Sequence, residues 1–364
     1  MSLSVGIIGL PNVGKSTLFN TLTSAGAEAS NYPFCTIDRN MGVAVVPDPR
    51  LRALESLLQP EECLPASVNL VDVAGLVKGA HRGEGLGNRF LGHLRETDAL
   101  LHVVRCFNDE NVSHTGGAVD PAADAALIDL ELTLADLEQA ERALGELGKK
   151  ARTEPKKYAR QGALLEKVRD HLAGDRPLRL LELRPKEGPA LKGYGFLTLK
   201  PVLYCANVDE DDLAASGGEL CRQLSGAVGE DLVLPVSARV EGELLELAEE
   251  ERDDFREALG LSGDSITRVA AACARLLDLV SFYTTANNKL RAWHVPAGTP
   301  APAAAGQIHS DMEQGFIRAE VTGSDELLAE ESMARLQEQG RVRNEGRDYE
   351  VRDGDVIHFL FRGK

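Results

Sequence analysis

The chain has 364 residues, a length that suits two or three domains, and 43% of them are apolar, too many for a disordered polymer. Its net charge of −17 argues against a protein that coats nucleic acid through overall basicity. It holds no apolar run of the roughly 18 residues that a membrane helix needs, and its six cysteines, scattered without a CxxC pair, point to reduced thiols in a cytoplasmic protein.

The opening MSLSVGIIGLPNVGKS lacks a basic leader region, so no signal peptide is expected. Residues 3–9 read as a strand, followed by a glycine-rich turn and a helix beginning at STLFNTLTSA. Further strands are expected at 41–46, 67–73, 99–104, 201–206 and 232–236, with helical patterns between most of them. That alternation predicts an α/β fold with a doubly wound, mainly parallel sheet.

One stretch breaks the alternation. Leu127, Leu130, Leu134, Leu137, Ala140, Leu144 and Leu147 recur at spacings of three and four, the seam of an amphipathic helix. Lys149, Lys150, Arg152, Lys156, Lys157 and Arg160 follow, and then a second periodic stretch with Leu165, Val168 and Leu172. We read an inserted helical hairpin over about 120–198, with the basic residues at its tip. The alternative is an ordinary helix pair packed on the sheet. The acidic stretch 241–257 reads as a solvated helix. Residues 279–362 form a second, small α+β domain after a first domain of 1–278, and RDYEVRDGDVIHFLF reads as a closing β-hairpin turning at Asp353-Gly354-Asp355.

Gly9-Leu10-Pro11-Asn12-Val13-Gly14-Lys15-Ser16 matches GxxxxGK[ST] between a strand and a helix, the context in which the motif binds phosphate. Its glycines let backbone N–H groups close on a β-phosphate, and the helix N-terminus adds positive potential. Lys15 is expected to reach the β- and γ-phosphates, and the Ser16 hydroxyl to ligate Mg²⁺. Asp72-Val73-Ala74-Gly75 ends the strand at 67–73 and supplies a carboxylate near the metal and a glycine amide for the γ-phosphate. Thr36, between the two motifs, is the candidate second Mg²⁺ ligand.

Two positions depart from a GTPase. Where NKxD reads guanine, the strand at 201–206 runs into Asn207-Val208-Asp209-Glu210, so the lysine is Val208 and the aspartate is Glu210. A longer carboxylate no longer suits the guanine edge, and a relaxed site admits adenine. Ser237-Ala238 forms the expected second base-side loop. The residue after DxxG is Leu76, which cannot orient water as a glutamine does. His81 and His114 are the candidate replacements, and Asn12 is a candidate ligand for K⁺.

The succession GLPNVGKST, NYPFCT, DVAGLVKGA, NVDE and SA, with RFLGHLRETDALLHVVRCF, FYTTANNKLRAW and GRDYEVRDGDVIHFLF, resembles the Obg-like ATPase family, known as YchF in bacteria. The resemblance implies a P-loop NTPase domain of the OBG type, an inserted α-helical coiled-coil hairpin and a C-terminal β-grasp (TGS) domain. It also implies ATP in preference to GTP, slow hydrolysis to ADP, a cytoplasmic location and association with the ribosome, its large subunit and ribosomal RNA, without membrane or DNA. By that resemblance Asn12, Val13, Gly14, Lys15, Ser16 and Thr17 hold phosphates, and Ser16 and Thr36 hold Mg²⁺. Asn207, Val208 and Glu210 face the base, and His114 is catalytic. Residues 284–289, TTANNK, lack the glycine usual in that family's turn. An Obg-type GTPase and a ribosome or RNA scaffold with little turnover remain the alternative readings.

Overall fold

The computed structural model describes residues 3–27, 41–73, 86–109, 118–214, 217–261 and 264–363. In chain order β1 (Ser4–Ile8) leads into α1 (Lys15–Ala27), and β2 (Met41–Val46) is followed by α2 (Pro49–Leu58), β3 (Glu62–Leu64) and β4 (Ala66–Asp72). Then come α3 (Leu86–Glu96), β5 (Ala99–Cys106), and an excursion of α4 (Pro121–Ala151), α5 (Pro155–Leu172) and α6 (Glu187–Leu191). The chain returns through β6 (Val202–Val208), α7 (Glu210–Ala214), α8 (Gly218–Val228), β7 (Val233–Val236), α9 (Ala238–Glu246), α10 (Glu249–Ala258) and α11 (Ser265–Leu276). The first sheet has the order β2-β4-β1-β5-β6-β7, parallel throughout except for β2 against β4. Every residue of β5 and β6 is buried, which explains why both read as continuous apolar runs rather than alternating ones.

The excursion satisfies both of the sequence expectations, each over half of α4. Asp120 caps the helix by accepting from the Ala123 N–H at 3.0 Å, and Pro121 occupies the first turn. In the N-terminal half the buried stripe is Ala125, Ile128, Leu132 and Ala135, packed into the core of the main sheet. The expected seam at Leu130 and Leu134 is corrected: Leu130 is 37% exposed and Leu134 half-buried, because the sheet attracts the neighbouring face of the helix. Only from Ala140 onward does α4 pair with α5, through Ala140, Ala143, Leu147, Leu165, Val168 and Leu172. The hairpin turns at 152–154, so the six basic residues do surround its tip, all of them exposed.

Two carboxylates, one buried and one half-buried, fasten the base of the excursion. Asp136 accepts from the Leu197 N–H at 2.9 Å, the Thr198 N–H at 2.7 Å and the Thr198 hydroxyl at 2.7 Å. Asp129 forms an ion pair with Arg179, which also donates to the Tyr204 hydroxyl on β6 at 3.3 Å.

The second sheet is built from β8 (Leu279–Ala286), β9 (Lys289–Pro296), α12 (Ala301–Ile308), β10 (Phe316–Gly323), β11 (Arg343–Glu345) and β12 (Asp355–Phe361). Its order, β11-β10-β12-β8-β9-β3, places β12 in the middle, antiparallel to β10 and parallel to β8, in the β-grasp arrangement. Asn287 and Asn288 close the β8–β9 hairpin at φ of 54° and 58°, so two asparagines provide the left-handed turn without glycine.

Several expectations are corrected here. The final segment is not a hairpin: β12 has neighbours on both sides, so no edge is left for residues 346–352, which form only one bridge, Glu350 with Pro300. The turn at Asp353-Gly354 instead anchors the sheet, since Asp353 accepts from the Ser281 N–H at 2.8 Å and from Arg50 at 2.7 Å. The second sheet also reaches back into the first 278 residues. β3 pairs with β9, reinforced by an ion pair of Lys289 with Glu62, and Leu51 and Leu54 of α2 join its core with Tyr283 and Leu290. The acidic stretch breaks into α9 and α10, and Glu241 is buried, accepting from the Ser265 N–H at 3.2 Å.

Asp136→Ala should leave two backbone donors and the Thr198 hydroxyl unpaired in the base of the insert and cost about 2–4 kcal/mol. A thermal melt of the variant should show a lowered midpoint, with Asp136→Asn intermediate. An unchanged midpoint would show that the carboxylate does not anchor the insert.

Candidate functional site: a nucleotide-binding cleft

Between β1 and α1 the chain must turn tightly and present its N–H groups outward, and the backbone there shows what that requires. Gly9 has φ 149°, and a Cβ on it would lie 2.3 Å from the Val103 carbonyl oxygen of β5. Gly14 has φ 95°, and a Cβ would meet Asn207 Nδ2 at 2.4 Å. Asn12 takes a left-handed φ of 62°, a region asparagine tolerates. The loop therefore sits directly against the ends of β5 and β6.

Lys15 is buried at the first turn of α1 and donates to the Leu10 carbonyl at 2.6 Å, folding the loop around its own ammonium. Burial lowers the Lys15 pKa, opposed by the carboxylate of Asp72. Burial likewise raises Asp72, opposed by Lys15. Asp72 lies in register with Ile7 of β1, at the foot of the loop, and the two charges are near enough for each to act on the other. Ser16 is exposed at the N-terminus of α1 and lines the cleft. Among the described residues no three His, Cys, Asp or Glu gather as a metal site. A hydroxyl and a carboxylate beside a phosphate cradle are instead the hard oxygen donors that suit Mg²⁺, which takes few protein ligands and completes its shell with phosphate and water.

The cleft measures about 680 Å³, within the range of small-ligand sites, and is bordered by Asn12, Gly14, Lys15, Ser16 and Thr17 on one side and by Asn207, Val208, Ser237 and Ala238 on the other. Asn207 joins the sides. Its Nδ2 donates to the Val13 carbonyl at 2.9 Å, and its Oδ1 accepts from the Ala238 N–H at 3.0 Å. Ser237 caps α9, accepting from the Val240 N–H at 3.5 Å, so the second base-side loop ends at a helix N-terminus.

The base side differs in detail from the sequence expectation. Val208 is buried at 2% exposure, so its position has no side chain free to lie over a base as a lysine would. Asp209 borders the cleft, and its carboxylate accepts from the Asn108 N–H at 3.4 Å. Glu210 begins α7 and reaches Arg239 at 3.4 Å. Arg239, Phe107 and Asp109 line the cleft and were not singled out from the sequence. Arg105, buried at the end of β5, organises that wall by donating to the Phe107 carbonyl and the Asp109 carbonyl at 3.1 Å each, with its guanidinium 4.6 Å from the Phe107 ring centre. A charged residue closing an otherwise apolar strand was the available signal. Thr36, Gly75, Leu76, His81 and His114 lie outside the described residues.

Asn207→Ala should release both loops at once. We expect affinity for nucleoside diphosphates to fall by about tenfold or more, the scale of one lost buried hydrogen-bonding group, with the fold retained by circular dichroism. Titration of a fluorescent diphosphate checks this, and parent-like affinity would remove Asn207 from the binding architecture.

Comparison with known proteins bears on the same regions. Residues 4–140 match the family described as 50S ribosome-binding GTPase, and residues 279–362 match the YchF GTPase C-terminal family, described as a protein of unknown function. The chain is 47% identical over 362 residues to the ribosome-binding ATPase YchF of Escherichia coli O157:H7, covering 99% of each chain. It is 46% identical over 364 residues to the protein of that name from Bacillus subtilis, covering 99% of this chain and 100% of the relative. The structure of the Schizosaccharomyces pombe YchF GTPase superposes with a TM-score of 0.88 at 32% identity, over 99% of this chain and 98% of that one. Close to half of its residues being shared with the bacterial proteins from end to end, the chain belongs to the YchF family.

Proposed function

We propose that this protein is a P-loop ATPase that binds ATP with Mg²⁺, hydrolyses it slowly to ADP, and uses the nucleotide state to control association with the ribosome. The observation that carries the reading is a phosphate loop folded around the buried Lys15, on a cleft closed by Asn207, in a chain whose full-length bacterial relatives are named ribosome-binding ATPases. In this reading the backbone N–H groups of Asn12–Thr17 and the Lys15 ammonium bind the phosphates, the cleft-lining Ser16 hydroxyl ligates the metal, and Asp72, at the end of β4, serves it from the neighbouring strand. Mg²⁺, when bound, neutralises charge on the β- and γ-phosphate oxygens. In this reading Thr36 is the second switch-side ligand and Gly75 contacts the γ-phosphate.

Adenine is favoured by what the base side cannot do. Val208 offers no ammonium, and Glu210 is directed to Arg239 rather than poised for the guanine N1–H and 2-amino group. No polar pair built for guanine rejects ATP, so the preference should be modest. The fission-yeast relative is named a GTPase, which favours the second reading, a guanine-specific enzyme. Competition separates them: ADP should displace a fluorescent nucleotide at lower concentration than GDP, and the reverse order would overturn the adenine assignment.

Slow turnover follows from Leu76, which cannot position water, with His114 as the candidate replacement and Asn12 as the candidate holder of a K⁺ that supplies transition-state charge. Lys15→Ala should abolish ATP hydrolysis, and KCl should support a faster rate than NaCl. An unchanged rate in the variant would sink the site assignment, and equal rates in the two salts would remove K⁺.

The partner reading places ribosomal RNA of the large subunit against the exposed basic tip and the C-terminal domain. No described helix is long and apolar enough to cross a membrane, and a cytoplasmic location is part of the proposal. Charge reversal at Lys149, Lys150 and Lys156 should weaken ribosome co-sedimentation, most strongly at low salt. Unchanged sedimentation across a salt series would exclude the tip.

A further inference from the structure

A second cleft lies in the insert, remote in sequence from the nucleotide loops, between α5 and the returning segment 184–194. Its volume is about 740 Å³. One wall carries Lys157, Arg160 and Lys167, and the other Arg184 and Lys186, with Tyr194 between. Spacings of three and seven residues hold the three cations of α5 on one helix face, over a length of about 15 Å. Five positive side chains therefore converge on one groove in a chain whose net charge is −17.

Glu187 is the acidic residue in the lining, and it is occupied: it accepts from Lys167 Nζ at 3.2 Å and from the Arg184 N–H at 3.0 Å. Lys157 pairs with Glu154 outside the groove at 2.7 Å. Arg160, Arg184 and Lys186 make no salt bridge among the described residues. The Tyr194 ring is held by a hydrogen bond of its hydroxyl with Gln161 and by stacking on Phe196, with centroids 5.7 Å apart. It is half-buried, with part of its surface in the groove.

We propose that this groove binds a single strand of RNA, its phosphates between the two rows of cations and a base on Tyr194. Arg160 on one wall and Arg184 with Lys186 on the other carry charge that no acidic partner among the described residues neutralises, and that excess of positive charge selects a polyanion. A fixed aromatic ring among them favours a nucleic acid over an acidic peptide, because every base offers a π-face and a carboxylate side chain does not. A cavity of this size, walled by one helix and one segment of chain, takes a few nucleotides of one strand rather than a duplex. The proposal deepens the ribosomal RNA reading and rests on it for its source of RNA; the groove shares Lys157 and Arg160 with the tip, but Arg184, Lys186 and Tyr194 belong to the groove alone and allow it to be tested separately.

The test uses the full chain and a short fluorescent oligouridylate, with affinity read by anisotropy over a salt series. Arg184→Glu with Lys186→Glu should weaken binding at least tenfold at low salt, and Arg184→Gln with Lys186→Gln should weaken it several-fold, both with parent-like melting. The slope of log affinity on log salt should fall by about 1.4, at roughly 0.7 per lost phosphate contact on a single strand. Tyr194→Leu should lower affinity about tenfold with the slope unchanged, the signature of lost stacking. Parent-like affinity and slope in both double variants would overturn the groove. Polyglutamate displacing the oligouridylate from the parent as effectively as unlabelled RNA would overturn the choice of RNA. Parallel sedimentation keeps the two readings apart: a parent chain that binds oligouridylate but not ribosomes defeats the ribosome reading and leaves the groove standing.

Discussion

A single carboxamide, that of Asn207, holds the two sides of the nucleotide cleft together. It stands at the end of β6, with one atom committed to the Val13 carbonyl and the other to the Ala238 N–H. The phosphate loop and the base-side loop come from opposite ends of the first sheet's sequence, and the Asn207 side chain bridges them. Burial at 7% exposure strengthens both bonds by excluding water from them. The close approach of Gly14 to the same amide, which no side chain at position 14 could share, is part of one arrangement. The glycine is required there by its backbone angle and again by its neighbour.

A comparable economy joins the two sheets. Arg50 follows the strand β2 and donates to Asp48 at its own helix cap and to Asp353 in the second sheet. Tyr283 donates to Asp48 from β8 at 2.5 Å. Burial alone would raise Asp48, but hydrogen bonds from Arg50 and Tyr283 hold its pKa below the ordinary value. Asp353 is lowered in the same way by Arg50 and the Ser281 N–H, against its burial. A depressed folded-state pKa means that the clasp stabilises the fold above the usual aspartate range and loses that contribution as pH falls through it.

The insert separates two electrostatic regimes. Its base is neutralised internally, by Asp129 against Arg179 and by Asp136 against backbone donors, so it can pack onto the sheet. Its far half carries a cluster of exposed cations, Lys149, Lys150, Arg152, Lys156, Lys157 and Arg160, in a chain that is acidic overall. A net charge of −17 therefore says little about the surface a polyanion would meet, because charge at the tip and in the groove acts over a screening length far shorter than the molecule.

The phosphate loop, a mainly parallel sheet, the helical insert and its basic tip were all readable from residue type and spacing. Each is a local consequence of backbone need or of periodic burial: glycine where φ is positive, continuous apolar runs where both faces are covered, and a three-four repeat where one face is. The first half of the α4 seam was misread because periodicity gives a helix but not the partner it faces, and Leu130 lost its place to Ile128 and Leu132 once the sheet was there. Strand β3 has three half-buried residues and no alternation to read, so only its pairing with β9 reveals it. The same limit hid Arg239, Phe107 and Asp109, whose place in the cleft depends on strands distant in sequence ending side by side. The sequence alone determined which residues can bind phosphate and which stretches must be buried. The tertiary structure decided which faces meet, because burial is a property of pairs of surfaces and a one-dimensional pattern specifies only one member of each pair.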